Sequence, residues 1–268
     1  MRYFGMKRTC IEEVVIMLDF KDQVIIVTGA GSPKGIGRVI AKTFAKQGGT
    51  VIIADINQRG VDETVQIIQD EGGKAEGILL DVTSKESVEN MVAQVMQNYG
   101  RIDVLINNAG ISQKVTVAEM TLDDMKRIFN VNMFGLFLCT QACMKPMIEA
   151  GYGRIVNLSS VSAKRGGGIF GGAHYSASKA AVLAFSKNLS REICQYGITI
   201  NCVCPGLINT EIWKSLPQEQ AAKIIEGIPV GRPGETQEVA DSIVFLASRE
   251  ASYITGEEID INGGQHMD

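Results

Sequence analysis

Tyr175 and Lys179 stand four residues apart, and Ser160 lies fifteen positions before the tyrosine. On a helix that spacing puts the phenol and the ammonium on one face, where both can meet the same reactant. A phenol of pKa about 10 is a poor base at neutral pH, but a neighbouring cation favours its phenolate. It can then take the proton of an alcohol, or return one to a carbonyl oxygen. Ser160, at the end of the run RIVNLSS, can donate a hydrogen bond to that oxygen and stabilise developing charge. Ser159 and Ser162 compete with it for this part. A Tyr and a Lys four apart usually mark only a solvated helix face, so the surroundings decide.

Other chemistries are poorly supplied. No G-x-S-x-G turn is present, and the two histidines, His174 and His266, are badly placed for a hydrolytic triad. His174 reads as an ordinary neighbour of the site. Six cysteines, at 10, 139, 143, 194, 202 and 204, include no C-x-x-C pair, and no zinc-ligand spacing occurs, so no metal is expected. Reduced thiols in a cytoplasmic protein fit this pattern. With a net charge of -4 and no basic run, nucleic acid is excluded as a partner and small molecules are expected. No apolar stretch approaches the roughly 20 residues of a membrane span, and the first residues do not form a signal peptide.

The elements that must position these groups follow a regular alternation. QVIIVT precedes a helix over Ile36–Gln47, TVIIAD one over Arg59–Glu71, and KAEGILLD one over Lys85–Tyr99. VLINNAG precedes a long helix over Leu122–Glu149, which Pro146 is expected to kink or end. RIVNLSS leads to a helix from Tyr175 to about Tyr196, then come ITINCVCPG, a looser segment, a helix near Gln237–Ala247 and a last strand, EEIDI. Continuous apolar strands are buried on both faces. The expected fold is therefore α/β, a doubly wound, mostly parallel, Rossmann-like sheet of seven strands in a single domain. Residues 1–19 form an N-terminal extension, with Met17 a possible start, and residues 20–268 the catalytic domain.

Between the first strand and first helix lies Thr28-Gly29-Ala30-Gly31-Ser32-Pro33-Lys34-Gly35-Ile36-Gly37. A glycine turn opening a helix at this place offers backbone N–H groups and the helix dipole to a pyrophosphate. Asp55, at the end of the second strand, can accept hydrogen bonds from ribose hydroxyls and would repel a 2′-phosphate, which points to NAD. Lys34 and Arg59 argue the other way and keep NADP open. An oxidised nicotinamide would add to the pull toward a Tyr175 phenolate.

On these motifs the chain resembles the short-chain dehydrogenase/reductase family from about Phe20 to Gly264. Asp81-Val82, Asn107-Asn108-Ala109-Gly110, Asn132, Ser160, Tyr175-x-x-x-Lys179 and Pro205-Gly206 with Thr210 all match its pattern in order. The resemblance implies that Asp81 and Val82 contact the adenine, that Asn108, Ala109 and Gly110 line the cofactor cleft, and that Ile208 and Thr210 hold the nicotinamide carboxamide. It implies that Asn132 holds a water linking Lys179 to solvent. Asp81 could equally cap the following helix, the Asn107–Gly110 turn could be strand-end chemistry, and Asn132 a buried, satisfied amide. Two spacings depart from the family. Five residues, rather than three, separate Gly29 from Gly35, and the stretch Gly166–Gly172 lengthens the Ser160–Tyr175 interval by two.

The resemblance implies an NAD(P)-dependent oxidoreductase acting on CH–OH groups. The chain is similar to 3-oxoacyl-carrier-protein reductases and to NAD-linked polyol and sugar dehydrogenases. The former prefer NADPH and carry basic residues where Gly151 and Tyr196 stand here, so with Asp55 the expectation is a small secondary alcohol of polyol or sugar type. A 3-oxoacyl-carrier-protein reductase, a hydroxysteroid dehydrogenase and a nucleotide-sensing scaffold are the alternatives. A lid over 209–231, containing Trp213, Leu216, Ile224 and Ile225, is expected above the substrate. Trp213 suits core or interface equally. The family further implies a homotetramer packed through the Leu122–Glu149 and Tyr175–Tyr196 helices.

Overall fold

A computed structural model describes residues 18–167, 170–210 and 218–267. Its strands are β1 (Val24–Thr28), β2 (Thr50–Asp55), β3 (Lys74–Leu79), β4 (Val104–Asn107), β5 (Gly153–Leu158), β6 (Ile198–Pro205) and β7 (Glu258–Ile261). Among the described residues these seven form one sheet in the order β3-β2-β1-β4-β5-β6-β7, and every neighbouring pair is parallel. The fold is the expected doubly wound α/β domain. Its helices are α1 (Ile36–Lys46), α2 (Gln58–Asp70), α3 (Lys85–Tyr99), α4 (Leu122–Phe129) and α5 (Leu136–Ala150). After these come α6 (Val161–Arg165), α7 (Ala173–Ile193), α8 (Gln218–Glu226) and α9 (Thr236–Ala247).

The alternation along β1 shows why both faces are covered. Ile25 and Val27 join Ile40, Phe44, Val239 and Ile243 in one core, whereas Val24 and Ile26 join Val88, Met91, Cys143 and Met147 in the other. Each such side chain, fully buried, contributes about 1.5–3 kcal/mol, so the central strands make a stiff floor. Strand order reverses between β1 and β4, and in a sheet of this kind the crevice opens beyond the carboxyl ends at that point.

The long helix departs from expectation. Pro146 does not end it, since α5 runs through it to Ala150. The break in α-geometry comes earlier, where Asn130–Gly135 winds as a π-helical turn. Tertiary contacts explain that placement. Asn132 Nδ2 donates to the Ile111 carbonyl (2.9 Å) and to Ser178 Oγ (3.1 Å), and a Cβ on Gly135 would lie 2.7 Å from Val82 Cγ2. The turn rotates Asn132 inward, which one-turn π insertions commonly do at functional sites.

Helix α7 starts two residues before Tyr175, and its end passes into a 3-10 turn, Cys194–Tyr196. Of the expected lid residues, Trp213 and Leu216 lie outside the described residues, while Ile224 and Ile225 sit half-buried on α8. Most of the N-terminal extension, including Met17 and Cys10, also lies outside them. No helix among the described residues is long and apolar enough to cross a membrane.

Candidate active site

A cleft of about 390 Å³ opens at the carboxyl ends of the central strands. Gly29, Gly35, Ile36 and Gly37 form one wall, and Asn108 and Gly110 line it from the end of β4. Ser160, Tyr175 and Lys179 stand on the β5–α7 side, and Pro205, Gly206, Ile208 and Thr210 come from the end of β6. Residues spread over much of the chain thus line one cleft.

The glycine turn is built for close approach. Gly29 has φ +68°, and a Cβ there would lie 2.7 Å from Ala109 Cα. The two extra residues are absorbed in a turn closed by Gly35 N–H donating to the Ser32 carbonyl (3.2 Å), so Gly35 still occupies the N-cap of α1. No side chain caps that helix and its first turn holds no acid, which leaves its N-terminal N–H groups suited to a phosphate. Asn108 laces β4 to this turn, its Nδ2 donating to the carbonyls of Thr28 (2.8 Å) and Gly29 (2.9 Å). Ala109 lies behind, its N–H on Thr28 Oγ1 (3.1 Å).

Asp55 sits at the tip of β2 and accepts from Gly31 N–H (2.8 Å) and Asn57 N–H (3.0 Å), so its carboxylate is fixed beside the glycine turn. Of the cations that could favour a 2′-phosphate, Arg59 is paired with Glu63 (2.9 Å) and Lys34 lines the cleft. Asp81 accepts from Thr83 through its N–H (2.9 Å) and hydroxyl (2.7 Å). It does not cap α3, because Ser84 holds that place. Val82 packs against the π-helical turn.

The structure separates the three serines. Ser159 Oγ donates to the Lys179 carbonyl (2.9 Å) and ties β5 to α7. Ser160 starts α6, its Oγ accepts from Ser162 N–H (3.1 Å), and it lines the cleft together with Tyr175. Burial pushes the Tyr175 phenol up from its ordinary value, and the Ser160 hydroxyl opposes that shift. Lys179 is buried, donates to the Leu158 carbonyl (2.6 Å), and is pushed down to about 8 by that burial, against a smaller opposing pull from Cys202 and Cys204. The Lys179 ammonium is thus directed at the carbonyl at the end of β5.

Asn132 is a satisfied buried amide that also adjoins the site. Its Oδ1 accepts from Ile111 N–H (2.8 Å), and a Cβ on Gly110 would lie 3.3 Å from that oxygen and 3.4 Å from Lys179 Nζ. The lengthened stretch before Tyr175 also has a fit. A Cβ on Gly171 would lie 2.5 Å from Tyr175 Cδ1, so the ring needs glycine there, and Gly172 N–H donates to the Gln113 carbonyl (2.8 Å). His174 is fully buried and faces Gln113 Oε1 (3.2 Å), outside the cleft, as an ordinary neighbour.

A second cavity of about 220 Å³ adjoins the cleft and shares Ser160 and Tyr175 with it. Ser112, Arg165, Phe170 and Gln265 line it, and sequence reasoning missed all four. The basic pair Lys164-Arg165, between Ser160 and Tyr175, is the one signal that could have pointed there.

A family model described as Enoyl-(Acyl carrier protein) reductase matches residues 29–266. The 3-oxoacyl-[acyl-carrier-protein] reductase FabG of Escherichia coli is 38% identical over 250 residues, covering 93% of this chain and 100% of the relative. The chain belongs to the short-chain dehydrogenase/reductase family. FabG of Thermotoga maritima is 40% identical over 245 residues, 90% of this chain and 97% of its own. An uncharacterized short-chain type dehydrogenase/reductase of Sinorhizobium fredii is 43% identical over 249 residues, 91% and 97% of the two chains. Membership makes this an NAD(P)-dependent oxidoreductase acting on CH–OH or keto groups. Among the described residues no cluster of His, Cys, Asp and Glu could hold a metal ion.

Proposed function

We propose that this protein interconverts a secondary alcohol and its ketone with NAD(H), using Tyr175 as the proton-transfer group. The observation that carries the reading is the convergence of Ser160, Tyr175, Lys179 and the glycine turn on one cleft. Gly29, Gly35, Ile36 and Gly37 would hold the pyrophosphate, Asp55 the adenosine ribose, Asp81 and Val82 the adenine, and Ile208 and Thr210 the carboxamide, with Lys179 beside the cofactor in the same cleft. Bound there, the nicotinamide supplies or accepts the hydride. Tyr175 Oη gives its proton to the substrate oxygen in reduction and takes it back in oxidation. Ser160 Oγ donates to that oxygen as charge develops. Asn132 braces the Ile111 backbone and α7 beneath Lys179.

Asp55 supports NAD over NADP. Its carboxylate is oriented by Gly31 and Asn57, where a 2′-phosphate would meet a fixed negative charge. For the substrate, the names of the relatives favour a 3-oxoacyl thioester, and we put that class first. A polyol or sugar is the second reading. The cavity beside Tyr175 favours it through Ser112, Ser162 and Gln265. Gly151 and Tyr196 favour it too: they precede the amino ends of β5 and β6, and neither offers an acidic carrier a cation.

Residues 209–231 are proposed as the substrate lid. Their base is pinned where Asn209 N–H donates to the Gly234 carbonyl (2.7 Å) and Gly234 N–H to that of Leu207 (2.9 Å). NAD with substrate is expected to slow proteolysis there. A homotetramer is supported by exposed Leu122, Phe134 and Phe137 on the α4–α5 face, and a cytoplasmic site by the free thiols of Cys139, Cys143, Cys194, Cys202 and Cys204.

The deciding experiment is a spectrophotometric panel of 3-oxoacyl thioesters, polyols, sugars, hydroxy acids and hydroxysteroids, each with NAD(H) and NADP(H). Turnover of one class with NAD(H) is expected. No hydride transfer with any class would favour a nucleotide-sensing scaffold instead.

A further inference from the structure

We propose that Arg165 binds an anionic group, a carboxylate or a phosphate ester, carried by the substrate in the cavity beside Tyr175. The inference rests on the reading of Ser160 and Tyr175 as the reacting site, since both line that cavity, and it departs from the thioester placed first above in favour of a small charged ketone.

Arg165 ends α6 and lines the cavity with its side chain exposed. Its Nη1 donates to the Gln265 carbonyl at 3.1 Å, which holds one edge of the guanidinium and leaves the rest of its donor fork available. It forms no ion pair with a described residue. The adjoining cation does: Lys164 is nearly buried and lies 3.1 Å from Asp260 and 3.5 Å from Glu258. That pairing anchors α6 to β7 and engages Glu258 and Asp260, and among the described residues no acid pairs with Arg165. No Asp or Glu is among the described residues lining the cavity, and its other polar atoms are serine hydroxyls and the Gln265 amide. At about 220 Å³ the space is below the roughly 300–1,000 Å³ of pockets for drug-sized ligands, so it suits a small substrate. A planar fork fixed at one edge pairs well with two oxygens of a carboxylate or phosphate.

The test compares ketones that differ in charge. Binding is measured by calorimetry to the whole protein with and without NAD, which leaves a ketone no hydride to accept. One arm sets acetoacetate against acetoacetamide and against S-acetoacetyl-N-acetylcysteamine, the same 3-oxoacyl group as a neutral thioester. The other sets dihydroxyacetone phosphate against dihydroxyacetone. In at least one arm the charged member should bind about tenfold more tightly or better, as expected for a charge-assisted pair, and the arm that wins names carboxylate or phosphate. Arg165→Met should abolish the difference while leaving the neutral members within about twofold, and Arg165→Lys should keep part of it. NAD affinity serves as the folding control. Equal binding in both arms, tighter binding of the thioester than of acetoacetate, or equal loss of charged and neutral members in Arg165→Met overturns the proposal. Hydride transfer is assayed separately, so its failure counts against the proposed reaction and leaves the Arg165 result standing.

Discussion

Replacing Lys179 with Met should make the protein less sensitive to pH while removing its activity. Burial lowers the Lys179 ammonium from 10.5 to about 8. The unfolded chain therefore binds the proton more readily than the folded one, and stability rises with pH between those values. Below about 8 the folded protein bears the whole penalty, and above 10.5 it bears none. At 1.36 kcal/mol per pKa unit the penalty is about 3 kcal/mol. Met fills much the same space, but it deprives the Leu158 carbonyl of a donor now at 2.6 Å, which costs about 1–3 kcal/mol if nothing replaces it. At neutral pH the variant should therefore be between equal to the wild type and about 2 kcal/mol more stable. The change with pH is the sharper quantity. Urea unfolding without nucleotide, at one protein concentration and from pH 7 to 10.5, should show the advantage of the variant shrinking by about 3 kcal/mol. Cys202 and Cys204, pushed up to about 12 and about 11, stay protonated over most of that range in both proteins. Parallel pH profiles would refute the claim that this lysine is held against a desolvation penalty.

Ser160→Ala should lower kcat about 10²- to 10³-fold, in the range of a lost oxyanion donor, whereas Ser159→Ala should keep kcat and lose about 1 kcal/mol of stability with its bond to the Lys179 carbonyl. Steady-state kinetics and denaturant unfolding on the pair separate the two roles. Gly171→Ala places a methyl about 2.5 Å from Tyr175 Cδ1, and a displaced phenol should cost about 10²-fold in kcat with NADH affinity unchanged by fluorescence titration. Asp55→Ala should raise the KM for NAD and lower the ratio of NAD to NADP efficiency by about tenfold, while an unchanged ratio would remove Asp55 from cofactor choice.

The elements were legible wherever local chemistry bounds them. TVIIAD is β2 residue for residue, and Lys85–Tyr99 is α3 to the residue, with Ser84 as its cap and Gly100 in the left-handed region at its end. The π-helical turn was hidden because Leu122–Glu149 keeps an unbroken helical pattern. What winds it differently is contact with Ile111, Ser178 and Val82, distant in the chain. Pro146 removes one helix hydrogen bond and crowds the preceding turn, yet α5 continues past it to Ala150. At the site, ordered motifs located the cleft-lining residues, and hydrogen bonding then distinguished Ser160 from Ser159. The direction of the Lys179 ammonium and the part of Arg165 depend on side-chain placement across α6 and β7, which no local spacing encodes.

The central claim is that Tyr175 moves the proton that accompanies hydride transfer. Tyr175→Phe keeps the ring that fills the cleft and removes only the hydroxyl, so NADH titration by fluorescence should give wild-type affinity. Single-turnover reduction of the best ketone from the panel should slow by about 10²- to 10⁴-fold. Wild-type-like hydride transfer in that variant would contradict the account.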